Sequence, residues 1–322
     1  MFAVTFAKPT NKGRIMIEEN QIEVNKETFI DLIKSNIKHR LFKFLTKDGS
    51  NFFLRGQDII SVYPQVFGIH EKSLTNSIKH YAKIGYSDFL IDIGANIGLT
   101  SCQNGADFQQ VHMFEPNPYC CSILEVNANI ALESSKFNIH RYGLGEVEKN
   151  CFLTIPKHNW GGAFINDDEN SYDDNILASK DGFKELNNNN YFSVEIVIKN
   201  TENELKEIFH ELTKKGLNKG VIKIDVEGYE ETVLIGIAKS IPSNVGVAIL
   251  FESWDNNFNI EKVMKAFNRQ VVVKKINRHK PWKNNASNLT KLALLLINPV
   301  LKTKITKIKD KNLVGDLILE IS

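Results

Sequence analysis

The segment Phe89–Leu99, which reads FLIDIGANIGL, decides the fold of this chain of 322 residues. Its first part, Phe89–Ile93, is apolar except for Asp92 and predicts a strand that is buried on both faces. Gly94 and Gly98 follow, and their lack of a Cβ atom lets the backbone pass close to a ligand. We expect a helix to begin at Gly98, with its free N–H groups pointing toward the same ligand. The segment thus predicts a ligand site at the carboxyl end of a strand.

Strand-like and helix-like segments alternate on both sides of this loop. Short apolar runs indicate strands, and apolar residues that recur every three or four positions indicate helices. Strands separated by helices form a parallel sheet with helices on both faces, so the predicted fold class is α/β. The predicted strands are Phe89–Ile93, Val111–Phe114, Asn138–Tyr142, Val221–Val226, Val245–Phe251, Val271–Ile276 and Asp316–Ile321, and the predicted helices are Ser73–Ala82, Gly98–Gln103, Pro118–Ala131, Leu205–Leu212, Tyr229–Ala238 and Ile260–Phe267.

The middle of the chain is less regular. Cys151–Ile155 and Tyr191–Ile198 alternate between apolar and polar residues as strands do. The polar stretch Asn166–Asn190 lies between them and predicts a mobile loop.

The first 67 residues form a predicted N-terminal addition to a domain of residues 68–322. Phe29–Ile37 has helical spacing. Phe42–Phe53 predicts a hairpin, because Asp48-Gly49 at its centre tolerates the positive φ of a tight turn.

Residues 286–311 form a predicted insertion between the last two strands. Leu289–Leu301 is apolar, and a run of lysines follows it. Such a segment can contact an anionic membrane surface, or it can be a helix that packs on the domain with its lysines in solvent. The lysines are Lys302, Lys304, Lys307, Lys309 and Lys311.

Composition excludes several classes of protein. Hydrophobic residues make up 42% of the chain and the net charge is +2, which favours a folded protein over a disordered or nucleic-acid-coating one. The four cysteines form no CxxC pair, so a zinc site or disulfide framework is not expected. The sequence begins without a secretory signal pattern and contains no run of roughly 18 apolar residues. We therefore predict a cytoplasmic protein.

The glycine loop excludes two common nucleotide-binding motifs. A dinucleotide fingerprint needs glycine at three positions, which here hold Gly94, Asn96 and Leu99, and the lysine motif of a P-loop is absent. S-adenosylmethionine carries no phosphate and instead needs a carboxylate for its ammonium group and N–H donors for its carboxylate. Asp92 and the loop can supply both, so S-adenosylmethionine is the predicted cofactor.

The next two strand ends add further candidates for cofactor binding. Glu115 follows the second strand, where an acid can accept both ribose hydroxyls, although such an acid is more often a solvated turn residue. The loop Tyr142–Gly145 follows the third strand and is expected to frame the adenine through backbone groups and Leu144.

Acidic and basic residues follow the fourth and fifth strands. Val221–Glu230 reads VIKIDVEGYE, in which Lys223, Asp225 and Glu227 alternate and are expected to share one side of the strand, with Glu252 beside them. Buried charges need partners, so a structural pair of Lys223 with Glu227 is one interpretation. The other is catalytic: a carboxylate takes the proton of a hydroxyl, or Asp225 and Glu252 bind a divalent cation.

These motifs together resemble the FkbM family of methyltransferases. The resemblance covers about residues 68–275, and the combination of DxGANxG with KxDxEGxE is specific. At Thr201–Glu204 the chain lacks the Leu-Asp pair that the family carries after a threonine, so no role is carried over to that segment. The matching segments are IDIGANIG (Ile91–Gly98), FEP (Phe114–Pro116), YGLG (Tyr142–Gly145), Gly161-Gly162, KIDVEGYE (Lys223–Glu230) and LFES (Leu250–Ser253).

The resemblance implies a class I methyltransferase sheet of seven strands, mostly parallel with an antiparallel last strand. It also implies O-methylation of a hydroxyl on a sugar or glycan precursor, and it places Glu71 near the cofactor. The predicted cofactor-binding residues are Glu71, Asp92, Gly94, Ala95, Asn96, Gly98, Leu99, Thr100, Glu115, Pro116, Gly143, Leu144 and Asp225, and the predicted catalytic residues are Lys223, Asp225, Glu227 and Glu252.

Three alternatives remain open at this point. The chain could bind the cofactor without catalysis, or methylate a natural product other than a sugar. A nucleic-acid methyltransferase would want a Pro-Pro-aromatic turn after the fourth strand to grip a flipped base, whereas this chain has Val226-Glu227-Gly228. We therefore expect a small-molecule or glycan substrate, no nucleic acid, and contact with the inner face of a membrane through residues 289–311 as an option.

Overall fold

The computed structural model describes residues 5–6, 17–18, 29–167, 170, 187–253, 258–279, 287–288, 290, 302–308 and 313–322. The chain divides into two compact units, Met1–Lys47 and Asp48–Ser322. The predicted domain boundary after residue 67 stays a prediction.

Helices and strands are numbered here in chain order. The predicted elements of the alternating region are all present, and most of their ends differ from the prediction by one to four residues. The strands are β1 (Thr5–Phe6), β2 (Ile17–Glu18), β3 (Phe89–Ile93), β4 (Gln110–Phe114), β5 (Phe137–His140), β6 (Gly143–Gly145), β7 (Lys149–Pro156), β8 (Phe164–Ile165), β9 (Tyr191–Asn200), β10 (Lys219–Ile224), β11 (Gly246–Ser253), β12 (Val271–His279), β13 (Lys302–Lys307) and β14 (Gly315–Ile321). The helices are α1 (Phe29–Leu45), α2 (Ile59–Phe67), α3 (Lys72–Lys83), α4 (Leu99–Asn104), α5 (Pro118–Ala131), α6 (Thr201–Lys214), α7 (Glu230–Ser240) and α8 (Ile260–Ala266), and 3-10 turns lie at Gly105–Asp107 and Trp160–Gly162.

The main sheet has the strand order β13-β12-β14-β11-β10-β3-β4-β5. Strands β5, β4, β3, β10 and β11 pair in parallel, whereas β14 is antiparallel to both β11 and β12. The predicted α/β class and the seven-stranded sheet with an antiparallel last strand are therefore confirmed. The sequence did not predict β13, which pairs antiparallel with β12 and makes a sheet of eight strands in the described part of the chain.

Strand β3 lies inside this sheet, between β10 and β4, and both of its faces are covered. Phe89, Ile91 and Ile93 pack with helices α6 and α7 on one face, and Leu90 packs with α3 and α5 on the other. Ile93 pairs with Phe114 of β4 and with the last residue of β10. The loops that follow these three strands therefore meet at one edge of the sheet.

A second sheet has the order β6-β9-β7-β8. It confirms the predicted strands around Cys151–Ile155 and Tyr191–Ile198, and both are longer than predicted. The expectation that Gly143–Gly145 is part of a loop is wrong, because these residues form β6 and pair in parallel with β9. Most of the predicted loop Asn166–Asn190 lies outside the described residues.

Two predictions outside the alternating region are wrong. The hairpin at Phe42–Phe53 is absent because the helical spacing that begins at Phe29 continues to Leu45, so α1 occupies its first half and a turn follows. The basic segment Lys302–Lys307 is a strand rather than part of a packed helix.

Of the apolar stretch Leu289–Leu301, only residue 290 lies within the described residues. Contact of this stretch with a membrane stays a prediction. Among the described helices, none has the length and apolar character needed to cross a bilayer.

Candidate active site

The glycine loop after β3 is pressed against the end of β10. Gly94 has a φ of +81°, and a Cβ atom on it would lie 1.9 Å from the carbonyl oxygen of Asp225. The Asp225 N–H donates to the carbonyl of Ile93 at 2.9 Å. Only glycine fits the conformation and the space at position 94, so the loop and Asp225 form one rigid rim.

Glu115 connects the glycine loop to the loop after β4. Its Oε2 accepts the N–H of Asn96 at 2.7 Å and its Oε1 accepts the N–H of Asn117 at 2.8 Å. Asn96 has a φ of +52°, which turns its N–H toward this carboxylate. Burial raises the pKa of Glu115 to about 7, although the two N–H bonds favour the charged form. Each carboxylate oxygen has a second lone pair, so Glu115 can still accept hydroxyl donors.

Asp92 and Lys223 form a buried ion pair beneath the loop. Their charged atoms lie 3.1 Å apart, and the side chains are 0% and 6% exposed. Asp92 also accepts the hydroxyl of Ser101 at 2.6 Å, and Lys223 donates to the carbonyl of Gly94 at 2.8 Å. Asp92 and Lys223 therefore support the loop from beneath, and direct contact of either residue with a cofactor or an acceptor stays a prediction.

The ammonium group of Lys223 keeps its charge in this environment. Burial alone would lower the pKa of Lys223, but the carboxylates of Asp92, Asp225 and Glu71 outweigh it and raise the pKa above its ordinary value. Lys223 is therefore a fixed positive charge and not a proton acceptor.

A first pocket, the loop pocket, lies between the glycine loop and the second sheet. Glu115 and Asn96 supply polar groups, and the remaining wall is largely apolar, which suits a nucleoside. Its lining includes Ile93, Gly94, Asn96, Phe114, Glu115, Pro116, Gly143, Leu144, Leu153, Trp160, Gly161, Ala163, Phe164, Ile165, Ile198, Asp225, Val226, Glu227 and Tyr229.

Trp160 at the edge of the loop pocket is held by protein contacts. The guanidinium of Arg55 lies 4.2 Å from its ring centroid, and the backbone N–H of Trp160 donates to the Asp58 carboxylate at 3.1 Å. Tyr119 packs against the same ring. Trp160 is therefore an anchor for the turn that covers the pocket.

A second pocket, the acidic cleft, adjoins the first and has a volume of about 320 Å³. Carboxylates and two lysines provide its charged groups, while Ile224, Leu250 and Phe251 contribute apolar surface. Its charged residues are Glu71, Lys223, Asp225, Glu252, Lys275 and Asp316.

The predicted catalytic residues are divided between the two pockets. Asp225 lines both of them, Lys223 and Glu252 line the acidic cleft, and Glu227 lines the loop pocket. The expectation that Asp225 and Glu227 belong to the strand is wrong, because β10 ends at Ile224 and a turn follows. Alternation along the strand thus does not decide which side these two carboxylates face.

Asp316 and Lys275 were missed by the sequence reasoning. β14 runs antiparallel to its neighbours, so its first residues lie at the edge where the parallel strands end. Asp316 is directly opposite Glu252 across the β11–β14 pair. The sequence could have placed Asp316 at this edge, because the last strand was predicted to begin at Asp316 and to run antiparallel.

Glu71 is the N-cap residue of helix α3 and has a strained backbone conformation. Its φ of +38° is uncommon for a residue with a Cβ. Its side chain is 46% exposed and lines the acidic cleft. Burial within the cleft raises the pKa of Glu71 to about 7, and the negative charges of Asp225, Glu252 and Asp316 add to the rise. Burial also lowers the pKa of the neighbouring His70 to about 4, so His70 is neutral and does not neutralise it.

Several predicted cofactor residues lie behind the loop rather than in a pocket. Gly98 has a φ of +85°, and a Cβ atom on it would lie 2.5 Å from Leu124 of α5. Ala95 and Leu99 are buried in the apolar core, and the carbonyl of Thr100 accepts a hydrogen bond from Asn104. These residues position the loop, and their direct contact with a cofactor stays a prediction.

A divalent cation was a further option at Asp225 and Glu252. Within the described residues, no group of three or more His, Cys, Asp or Glu side chains is arranged to hold a metal ion. The described residues therefore add no observation in favour of a divalent cation at Asp225 and Glu252.

The parallel strands and the antiparallel strand between the last two of them form the sheet of a class I methyltransferase. The sequence profile described as the methyltransferase FkbM domain matches residues 92–271, more than half of the chain. The chain belongs to the FkbM methyltransferase family, as the sequence motifs predicted.

Several solved structures of methyltransferases are similar to this chain at low sequence identity. Precorrin-6y C5,15-methyltransferase from Geobacter metallireducens is 9% identical with a TM-score of 0.38, and the match covers 85% of this chain and 95% of that one. Methyltransferase FkbM from Methylobacillus flagellatus is 13% identical with a TM-score of 0.30, over 88% of this chain and 60% of that one. No curated protein matches the chain.

Proposed function

We propose that this protein is an O-methyltransferase that transfers the methyl group of S-adenosylmethionine to a hydroxyl of a sugar or glycan precursor. One observation carries the proposal: Asp225 lines both the loop pocket and the acidic cleft. A cofactor in the first pocket and an acceptor in the second would meet at this carboxylate. The bound cofactor supplies an electrophilic methyl group on a sulfonium centre.

The loop pocket fits the nucleoside part of this cofactor. Position 94 forms a cradle that a Cβ atom would fill, and the Glu115 carboxylate is held in place by two backbone N–H groups with lone pairs remaining for the ribose hydroxyls. Leu144 and Ile198 contribute apolar surface for the adenine.

The acidic cleft favours an acceptor rich in hydroxyl groups. Four carboxyl groups against two lysines leave it negative, which disfavours a phosphate inside it. Methyl transfer to a hydroxyl also needs a group that takes the proton, and a carboxylate within hydrogen-bond reach can do so. Asp225 has the position for this role, and Glu71 has a pKa of about 7, near the value at which a base is most effective.

Two experiments test the proposal. Calorimetry compares S-adenosylhomocysteine with NAD, and binding of NAD alone would refute the cofactor assignment. A screen of glycan precursors with methyl-labelled S-adenosylmethionine, with and without a chelator, then tests the acceptor class and the need for a cation. Asp225→Asn should abolish label transfer while leaving binding of S-adenosylhomocysteine within a few-fold of wild type, and unchanged transfer would contradict the role of Asp225.

A catalytically silent cofactor-binding module is the second candidate. It would bind S-adenosylhomocysteine as tightly as an enzyme does and would transfer no label to any acceptor. The retained carboxylates at the boundary of the two pockets argue against it, because like charges crowded into one cleft destabilise a fold unless they have a use.

A further inference from the structure

Helix α1 (Phe29–Leu45) exposes large apolar side chains along its length. Ile30 and Ile37 are each 61% exposed and Phe44 is 69% exposed. Every residue of this helix whose burial is known is exposed. Isolated helices of this length are marginal in water, and most helices gain their stability by packing an apolar face. Among the described residues, these apolar side chains are therefore exposed rather than packed in a core.

Seven of the nine large apolar residues of α1 form one stripe, and Leu32 and Phe42 lie outside it in the sequence pattern. They recur every three or four positions, which at 100° per residue places them within an arc of about 160°. This is the width of an apolar face that can be buried along its whole length. The residues of the stripe are Phe29, Ile30, Ile33, Ile37, Leu41, Phe44 and Leu45.

Basic residues accompany this stripe. The helix contains Lys34, Lys38, Arg40 and Lys43 but only one acid, Asp31. Lys34 and Arg40 lie near the two borders of the apolar arc, where long basic side chains can reach the headgroups of a lipid bilayer while the stripe enters its apolar layer.

We infer that α1 is an in-plane anchor that binds the surface of an anionic lipid bilayer. The charge of the helix distinguishes this occupant from a second copy of the chain. Pairing two α1 helices through their stripes would bring Lys34 and Arg40 of both copies together, and Asp31 alone could not neutralise them. An anionic surface instead attracts each of these charges and accepts the apolar stripe without a shape-matched partner.

Sedimentation of the full chain with vesicles tests this inference. Vesicles of phosphatidylcholine alone are compared with vesicles that contain about one third phosphatidylglycerol. We expect binding to the anionic vesicles to be about tenfold tighter or more, and to weaken with added salt because screening reduces the attraction.

Two pairs of substitutions separate the stripe from nonspecific hydrophobic binding. Ile33→Gln with Ile37→Gln should weaken vesicle binding by about tenfold or more, since two apolar side chains would no longer be buried in lipid. The matched control is Val126→Gln with Ile130→Gln on α5, which has the same spacing and similar exposure, 43% and 50% against 43% and 61%. The control should bind like wild type.

Charge is tested by Lys34→Gln with Lys38→Gln, which should weaken binding to the anionic vesicles by about fivefold for each lysine. Circular dichroism shows whether each variant is folded. Failure of the folded wild-type chain to bind anionic vesicles, or equal binding by the Ile33/Ile37 variant, would overturn the inference. Light scattering provides the remaining outcome. If the wild-type chain is a dimer, the Ile33/Ile37 variant is a monomer and neither protein binds vesicles, the stripe is the contact with a second copy of the chain.

Discussion

Replacement of Lys223 by methionine should destabilise this protein more than almost any other loss of a single charge. The ammonium group lies 3.1 Å from Asp92, and the two side chains are 6% and 0% exposed. At an effective dielectric constant of about 20, that separation corresponds to about 5 kcal/mol of attraction. Methionine fills a similar volume but leaves the Asp92 charge buried without its partner. We expect the free energy of unfolding to fall by about 3–5 kcal/mol.

The double variant Asp92→Asn with Lys223→Met tests whether the buried charge is the cause. Asparagine can keep a hydrogen bond to Ser101, which now lies 2.6 Å from the Asp92 carboxylate, and it carries no charge. The double variant should therefore be about 2 kcal/mol more stable than Lys223→Met alone. Urea denaturation followed by circular dichroism measures both values, with equal slopes required for the comparison.

An exposed ion pair provides the control for this cycle. Lys262 lies 2.6 Å from Glu231, closer than Lys223 lies to Asp92, but its side chain is 60% exposed. Lys262→Met should cost about 0–1 kcal/mol, because solvent already screens the pair. A loss below about 1 kcal/mol for Lys223→Met, or no recovery in the double variant, would refute the assignment of Asp92 and Lys223 as the structural support of the loop.

Three further predictions concern the two pockets. Gly94→Ala should lower the free energy of unfolding and weaken binding of S-adenosylhomocysteine by about tenfold or more, because the new Cβ would collide with the Asp225 carbonyl. Gly216→Ala is the control: its φ is +78°, but no atom lies within 4 Å of the new Cβ. It should cost only about 1–2 kcal/mol of backbone strain and leave the affinity unchanged. Glu115→Gln should weaken binding of S-adenosylhomocysteine by about 10–100-fold in calorimetry, since an amide cannot accept hydrogen bonds on both sides. Because the folded pKa of Glu115, about 7, exceeds its ordinary value of 4.5, its contribution to stability should fall as pH rises from 4.5 to 7, and the variant should lack this fall in denaturation at several pH values. Glu71→Gln should remove an ionisation near pH 7 from the rate profile of methyl transfer, and a retained ionisation would exclude Glu71 as the base.

The alternating region could be predicted from the sequence because local pattern and tertiary burial agree there. Phe89–Ile93 is apolar in sequence and lies in the centre of the sheet, with helices on both faces. The hairpin at Phe42–Phe53 failed because the turn propensity of Asp48-Gly49 was weighed without the helical spacing that leads up to it. Gly143–Gly145 failed because its strand depends on pairing with β9, more than fifty residues away along the chain.

The site was predicted less completely than the fold, because sequence patterns name the residue but not the side chain's partner. Asp92 is an acid at a strand end, as a cofactor ligand would be, yet one of its oxygens accepts the Ser101 hydroxyl and the other faces the ammonium group of Lys223. Glu115 is also an acid at a strand end, and it does line a pocket. The difference arises from Lys223, whose buried ammonium group needs a carboxylate and takes the one beneath the loop.

Crowding of carboxyl groups in the acidic cleft constrains what can bind there. Glu252 and Asp316 are directly opposite across two strands, and Asp225 and Glu71 line the same cleft. Like charges this close destabilise one another, and Lys223 is already engaged with Asp92, so the least unfavourable state keeps one carboxyl protonated. The pKa of Glu71, about 7, makes it that group. The proposed acceptor would therefore enter a cleft of net negative charge. A polyhydroxylated or amino sugar provides hydrogen-bond donors, whereas a phosphate provides only further negative charge.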